Sequence, residues 1–229
     1  YEEFDSANLK TKESPDLKKL QLKFENEISL EDIDYKYPTS KNFLIKNFSL
    51  EIKKNEILGI IGKSGVGKST LVDLITGLIE PNNGSVKVDG SDIKKNTNSW
   101  HKMIGYIPAS CYLLDDTIRN NIAFGIDEKN IDDNRIIKAA KEAQIYGSIV
   151  KLDKKFDTII GERGIKLSDG QKQRIGIARE LYRNNPILIF DEATSTLDIN
   201  TENEILTSLD NFKKSKTILI VSHRENTIK

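Results

Sequence analysis

The segment from Gly62 to Ser69 combines glycines, a lysine and a serine at a spacing suited to holding phosphate. It fits the pattern G-x-x-x-x-G-K-S, in which the glycines let successive backbone N–H groups curl around an anion. A β-branched run, Ile57 to Ile61, precedes it, and a helical apolar pattern at Leu71, Leu74 and Ile75 follows. The order strand, loop and helix predicts a nucleoside triphosphatase, with the positive helix N-terminus directed at the phosphates.

Two side chains of this loop have distinct expected roles. Lys68 would reach the β- and γ-phosphates, and Ser69 would ligate Mg²⁺ through its hydroxyl, a hard oxygen donor. ATP and Mg²⁺ are therefore the expected cofactors. The nucleotide contacts predicted in this segment are Gly62, Ser64, Gly65, Gly67, Lys68, Ser69 and Thr70.

A second group of chemically capable residues follows the apolar run Pro186 to Phe190. Asp191 and Glu192 end this run, and the carboxyl ends of parallel strands form the ligand crevice of open α/β sheets. Asp191 is therefore predicted to share Mg²⁺ with Ser69, and Glu192 to polarise the attacking water. Two acids at a strand end also suit a solvated turn, but the phosphate loop favours the catalytic interpretation.

Composition narrows the possible partners and compartments. Lys plus Arg and Asp plus Glu both number 35, so the chain lacks the basic excess of a dedicated nucleic-acid binder. The single cysteine, Cys111, excludes an internal disulfide, fits a reducing compartment and is expected to be a half-buried, unreactive thiol. No apolar run approaches the roughly 20 residues that cross a bilayer, and the acidic start is no signal peptide. The chain is therefore expected to be soluble.

The elements that must position these residues are visible in the apolar pattern. Residues 1–25 are charged and predict a linker or arm. Alternation over 28–37, with one shift of phase, predicts a strand, and 48–52 and 86–88 predict others. The apolar spacing over 118–152 is helical. A helical lobe inserted in an α/β core is therefore expected.

Leu167 to Gln171 brings the chain close to a known family. This segment resembles the L-S-G-G-Q signature of ABC transporter nucleotide-binding domains, with Asp169 in place of the first glycine. Ser195 to Asp198 resembles the family's D-loop, and His223 resembles its switch histidine. Tyr37, followed by proline, resembles its adenine-stacking aromatic. Several ordered motifs at family-like separations make the resemblance specific.

The resemblance covers about residues 28–224 and implies the ABC-type P-loop ATPase fold. That fold has a RecA-like α/β core, an antiparallel β subdomain and an inserted helical subdomain, here at about 112–175. The domain would span 26–229, after an arm over 1–25 that comes from a preceding membrane domain. The chain stops six residues after His223, where the family adds further elements, so we expect truncation at the C-terminus.

Thr158 to Gly164 resembles the loop that precedes the signature in ABC exporters and is generally lacking in importers. The resemblance implies an ATP-hydrolysing domain that dimerises around two ATP to drive export or flipping by a transmembrane domain of the same chain. It also implies a position at the cytoplasmic face of a membrane and no nucleic-acid partner. The site residues carried over from the family are Lys68, Glu192 and His223 for catalysis, Tyr37 for adenine, and Ser168, Gly170 and Gln171 for the nucleotide of the opposite subunit.

The signature also has a local physical interpretation. Ser168 is a suitable N-cap with Gln171 as its capping-box partner, which by itself predicts a helix start. An exposed helix N-terminus with a hydroxyl and Gly170 is also suited to a γ-phosphate. Asp169 favours the first helical turn but is like-charged to that phosphate. We therefore expect it to weaken the ATP sandwich severalfold.

Ala109 is the more serious departure, because the family has a glutamine there that touches Mg²⁺ and water. A methyl group can neither ligate a cation nor accept a hydrogen bond, so hydrolysis should suffer more than binding. This keeps open an ATP-binding regulatory module with little hydrolysis. A soluble non-transport ABC ATPase is a further alternative, although the long coiled-coil insertion of the DNA-repair branch and the tandem domains of the translation branch are missing.

The assignment of the adenine-stacking tyrosine stays open between Tyr37 and Tyr35, since alternation alone cannot separate them. The proline after Tyr37 favours that residue. His223 follows the apolar strand Thr217 to Ser222, which suggests a contact to the γ-phosphate. His101 has no such neighbours and is predicted to be a solvated surface residue.

Overall fold

The computed structural model of the chain describes residues 22–194, 197–210, 212 and 215–223. The first part of the predicted arm, Ser195 and Thr196 of the D-loop motif, and Arg224 lie outside these ranges. Leu22 and Phe24, which the sequence assigned to the arm, are buried in a core cluster. The packed part of the chain therefore starts before residue 26.

One sheet is antiparallel, with the order β2-β1-β4-β5. Its strands are β1 Glu27–Tyr35, β2 Ile45–Lys53, β4 Asn83–Val88 and β5 Ser91–Asp92. The predicted phase shift is a β-bulge: β1 pairs Leu30 with Leu50 but Ile33 with Phe48, and Asp32 adopts a left-handed φ of 47°. The extra residue keeps the apolar side chains on both sides of the bulge facing the core.

The other sheet is entirely parallel, with the order β3-β8-β7-β6. Its strands are β3 Ile57–Ile61, β6 Ile104–Pro108, β7 Ile187–Asp191 and β8 Thr217–Ser222. Strands β7 and β8 are almost continuously apolar because helices cover both faces of the sheet. Alternate residues of β7 belong to two different core clusters.

Helices pack on the two faces of the parallel sheet. Helix α1 Lys68–Thr76 shares one core with Ile187 and Ile189, and helix α6 Asp169–Arg183 shares the other with Leu188 and Phe190. The helices between the sheet segments are α2 Thr97–His101, α3 Ile118–Ile122, α4 Asp133–Glu142 and α5 Tyr146–Ile149, and α7 Ile199–Asp210 follows β7.

The helical pattern over 118–152 is confirmed as three short helices, of which α3 and α4 pack against α6. Helices α2 and α7 were not predicted. The mixed α/β class is confirmed, with an antiparallel sheet, a parallel core and a helical region between β6 and β7. Within the described ranges, every helix is too short or too polar to span a bilayer.

Candidate nucleotide site

The phosphate loop connects β3 to α1 and depends on glycines at two positions. Gly65 has φ 80°, and Gly67, the N-cap residue of α1, has φ 101°, a region that side-chain-bearing residues rarely occupy. Gly67 provides no side-chain cap to the helix. The first N–H groups of α1 therefore have no side-chain partner from the cap, as an anion-binding helix start requires.

Lys68 is buried, with 7% of its surface exposed, and its ammonium group is held by several partners. Nζ donates to the carbonyl oxygens of Gly62 at 2.9 Å and Lys63 at 3.1 Å, and lies 3.0 Å from Nδ1 of His223. A lysine ammonium only donates, so Nδ1 is the acceptor in this contact. Nδ1 also lies 3.2 Å from the carbonyl oxygen of Gly62, which only accepts. The ring nitrogen is therefore placed between a donor and an acceptor.

Nε2 of His223 lies 2.5 Å from Oε1 of Glu192, so this ring nitrogen faces the carboxylate. Nζ of Lys68 is 3.9 Å from the same oxygen. Residues 68, 192 and 223 come from α1 and from the ends of β7 and β8. The sequence predicted each of them separately, and the structure joins them in one hydrogen-bonded chain.

The backbone at Glu192 contributes to this geometry. Glu192 follows the last residue of β7 with a left-handed φ of 54°, and its N–H donates to the carbonyl of Val221 at 3.1 Å. A residue other than glycine seldom adopts this conformation, which is found disproportionately at functional sites. The turn ends the strand, and the Glu192 side chain reaches the residue that follows β8.

Asp191 has a partner that the sequence analysis did not single out. The hydroxyl of Tyr106 on β6 donates to Oδ2 of Asp191 at 2.7 Å. Burial first, and then the hydrogen bond to Asp191, raise the pKa of Tyr106, so the phenol remains protonated and is the donor. The parallel pairing of β6 with β7 was the signal that could have placed Tyr106 here, and the sequence does not contain it.

Asp73 on α1 is the second residue, after Tyr106, that sequence reasoning missed. Its pKa is raised, first by burial and then by the charge of Asp191. It follows Ser69 by four residues, about one helical turn, so both lie on the same side of α1. Helix periodicity could have identified it once Ser69 was assigned to the site.

The oxygen donors present suit a magnesium ion bound together with phosphate. Ser69 is exposed at the start of α1, and no hydrogen bond joins it to Asp191 within the described ranges. In the same ranges, no three His, Cys, Asp or Glu side chains form a metal-binding group. A hydroxyl and a carboxylate fit Mg²⁺, which keeps several waters and takes further oxygens from its nucleotide.

The two candidate adenine-stacking tyrosines differ in exposure. Tyr35 ends β1 and is 7% exposed within a core cluster, whereas Tyr37 lies two residues beyond the strand and is 45% exposed. Their rings meet edge to face, with centroids 5.3 Å apart, and the hydroxyls of Tyr37 and Thr70 lie 2.7 Å apart. This geometry favours Tyr37, because its ring is accessible and linked to α1.

The signature segment forms a separate site at the start of α6. The predicted capping box is confirmed: Gln171 N–H donates to Ser168 Oγ at 3.3 Å, and Ser168 N–H donates to Gln171 Oε1 at 3.0 Å. Asp169 and Lys172 form an exposed ion pair at 3.2 Å. In the described part of the chain, no hydrogen bond or ion pair connects this helix start to the phosphate loop.

Three other predicted features can be compared with the structure. Ala109 is half-buried directly after β6, and the amide of the nearby Gln173 donates to the carbonyl of Pro108 at 2.7 Å. His101 is exposed, as predicted, and its Nε2 lies 3.0 Å from the carbonyl oxygen of Thr76. Cys111 is a half-buried thiol, and burial raises its pKa to about 11.

Comparison with known proteins adds the family context. Residues 45–195 match the family model described as ABC transporter. The chain is 42% identical over 207 residues to the ATP-dependent lipid A-core flippase of Desulfotalea psychrophila, covering 90% of this chain and 36% of that protein. It is 40% identical over 204 residues to ABC transporter B family member 1 of Dictyostelium discoideum, covering 88% of this chain and 22% of that protein.

A solved structure is similar as well. The ATP-bound structure of a bacterial Atm1-family ABC exporter superposes with a TM-score of 0.82 and 35% identity, covering 90% of this chain and 36% of that one. The chain thus spans between about a fifth and two fifths of the length of these proteins.

Proposed function

Because the chain belongs to the ABC transporter family and is an ATP-binding ATPase domain of that family, we propose that it powers an exporter. In this proposal, two copies or two related domains enclose two ATP molecules, and a transmembrane domain of the same chain moves the substrate. The domain then lies at the cytoplasmic face of the membrane and uses Mg²⁺. Several similar proteins are lipid A-core flippases, which supports a lipid or lipid-linked substrate.

The hydrogen-bonded chain Lys68, His223 and Glu192 is the observation that supports hydrolysis. Oε1 of Glu192 is held 2.5 Å from Nε2 of His223 at the end of the parallel sheet, which positions this carboxylate to accept a proton from water. The water oxygen bonds to the γ-phosphorus, its proton passes to Glu192, and the bond to the β–γ bridging oxygen breaks. ADP leaves with that oxygen, while Lys68 offsets the negative charge of the phosphates.

Ser69 and Asp191 are the residues that we propose to hold Mg²⁺. When bound, the ion supplies positive charge to the β- and γ-phosphate oxygens. The backbone of Gly62, Ser64, Gly65 and Gly67, with Thr70, would contact the phosphates, and Tyr37 would stack on adenine. Stacking of this kind is worth roughly 1 to 3 kcal/mol.

The exposed start of α6 supports the dimeric arrangement. Ser168, Gly170 and Gln171 belong to a 15-residue helix whose N-terminus is exposed and separate from the phosphate loop of its own chain. A helix N-terminus attracts anions, so this segment is suited to the γ-phosphate of an ATP held by another domain. Two head-to-tail contacts of this kind would close two sites.

Ala109 favours one second candidate function. The methyl group after β6 offers no ligand to a metal or water, which suits a regulatory domain that closes on ATP but turns it over slowly. The intact chain from Lys68 to Glu192 favours the hydrolytic function over this one.

Steady-state Mg-ATP hydrolysis measured against protein concentration tests these proposals, with Glu192→Gln as the control. Turnover that rises more than linearly with protein and vanishes in the control supports a hydrolytic two-site dimer. ATP binding without turnover supports the regulatory function instead. A folded protein that fails to bind ATP contradicts both.

A further inference from the structure

The contact between Tyr106 and Asp191 results from the register of the parallel sheet. Strands β6 and β7 pair with Tyr106 opposite Ile189 and Pro108 opposite Asp191. Side chains alternate along a strand, so positions 106 and 108 share a face, as do positions 189 and 191. The phenol therefore reaches diagonally to the carboxylate at the strand end, and two core strands hold both groups.

This face of the sheet is also the one that carries the phosphate-loop helix. Ile189 belongs to the same core cluster as Val72 and Leu74 of α1. The charge of Asp191 also contributes, after burial, to the raised pKa of Asp73 on that helix. The Tyr106 hydroxyl thus lies on the α1 side of the sheet, at the carboxylate proposed to hold the metal. Tyr106 is itself 40% exposed, so its ring is only partly enclosed by the core.

On the basis of the proposed function, we propose that Tyr106 is a positioning residue that orients the Asp191 carboxylate toward Mg²⁺. Its hydroxyl donates a hydrogen bond to Oδ2. Among the described residues, no other hydrogen bond to the Asp191 carboxylate occurs. A carboxylate held at one oxygen has a restricted orientation and presents the other oxygen to a cation. The methyl group of Ala109, three residues after Tyr106, offers no hydrogen bond that could take this role.

The test separates metal binding from nucleotide binding. The dissociation constant of a non-hydrolysable ATP analogue is measured with excess Mg²⁺ and with a chelator. The constant with chelator divided by the constant with Mg²⁺ reports how strongly the metal supports binding. Tyr106→Phe removes only the hydroxyl. We expect it to lower this ratio about three- to tenfold, because the constant with Mg²⁺ rises while the constant with chelator is unchanged, as the loss of one ordinary hydrogen bond predicts.

Two further variants make the result specific. Tyr112→Phe is the matched control, since Tyr112 is an exposed tyrosine outside the site, and it should leave the ratio unchanged. Asp191→Asn should remove most of the metal dependence, and adding Tyr106→Phe to it should have no further effect, because Tyr106 acts through Asp191. Thermal unfolding of every variant verifies that each is folded.

The outcomes distinguish this proposal from the proposed function. If Asp191→Asn lowers the ratio but Tyr106→Phe leaves it at the wild-type value, the role of Tyr106 is overturned and the ATPase proposal is intact. Equal weakening with and without Mg²⁺ also overturns it, since a purely structural contact would act that way. A wild-type domain that binds no analogue under either condition overturns the proposed function itself.

Discussion

The phosphate-loop region and the start of α6 are both predicted to bind phosphate, but they are organised differently. Around the loop, Lys68, Glu192 and His223 come from three elements, and His223 contacts both of the others. At the start of α6, Ser168 and Gln171 bond to each other and, among the described residues, to no other element; Ser168 is exposed and Gln171 half-buried. One region is assembled by the tertiary fold, whereas the other is assembled by five consecutive residues.

The difference indicates that the two regions have different functions, nucleotide binding within one chain and association between domains. A site whose polar groups already hold one another can bind and orient a nucleotide within one chain, because little reorganisation is needed. A helix start that engages only itself presents its N–H groups outward, which suits a ligand brought by another domain. We therefore expect changes in the first region to affect binding by the single domain, and changes in the second to affect association.

Lys68→Ala should give the largest effect. It removes the buried ammonium from the phosphates and from His223, so ATP affinity should fall by about a hundredfold or more. Ser168→Ala should leave the affinity of the single domain within about twofold but abolish ATP-dependent dimerisation. Calorimetric titration measures the first quantity and analytical ultracentrifugation the second.

Ser168→Thr is the matched control for this comparison, because threonine retains an N-cap hydroxyl while alanine costs roughly 0.5 to 2 kcal/mol of helix stability. If Ser168→Ala weakens ATP binding by the single domain as much as Lys68→Ala does, the two regions are not independent.

Cys111 packs against the middle of α6 and tests how firmly that helix is packed. A Cβ on Gly176 of α6 would come within 2.1 Å of the Cys111 sulfur, so the thiol sits directly against that helix. Burial raises the pKa of Cys111 from 9.0 to about 11. The folded state thus favours the protonated thiol, and the associated stability, complete below pH 9, is lost as pH rises through 11.

At a given pH below 9, a pKa of about 11 in place of 9.0 lowers the thiolate fraction about a hundredfold. The thiolate is the reactive form of cysteine. Alkylation of Cys111 at pH 8 should therefore be about a hundredfold slower in the native protein than in the denatured chain. Equal rates would show that the packing of Cys111 against α6 opens readily.

Ala109→Gln should change turnover at the phosphate-loop region without affecting the start of α6. An amide at this position restores a ligand for metal or water, and we expect Mg-ATP turnover to rise up to about tenfold, equivalent to 1.4 kcal/mol of transition-state stabilisation. Ala109→Leu, of similar size but apolar, should not raise the rate. An equal or lower rate for the glutamine variant would show that the methyl group is tolerated.

Asp169→Gly should give the smallest of these effects, in the association region alone. Removing a carboxylate from the helix start should tighten ATP-dependent dimerisation severalfold, although the ion pair with Lys172 already offsets part of that charge. Asp169→Asn removes the charge without adding a glycine and should behave similarly. Dimerisation that is unchanged across a salt series in both variants would contradict this role for Asp169.

Local features were the ones that sequence reasoning predicted well. The bulge in β1, the capping box of α6 and the glycines of the phosphate loop each depend on a few neighbouring residues and their backbone preferences. The same holds for the ends of β7 and β8, where strongly apolar runs stop at polar residues.

Tyr106 and Asp73 were missed for a physical reason. Each lies within an ordinary strand or helix pattern, and each belongs to the site only because β6, β7 and α1 meet there. Helix α2 was missed because its pattern spans only five residues, and α7, of 12 residues, was missed because it follows a loop. Packing rather than propensity stabilises both helices.

The amino-acid sequence is sufficient to identify the chemical groups of the site: the phosphate loop, the two acids after β7, the histidine after β8 and the capped start of α6. Their order and spacing suffice because each motif is built by contiguous backbone. Which of these groups touch depends on the tertiary structure, in which Lys68 contacts His223 and Tyr106 donates to Asp191. Strand order and register create those contacts between residues far apart in the chain, and no local pattern encodes them.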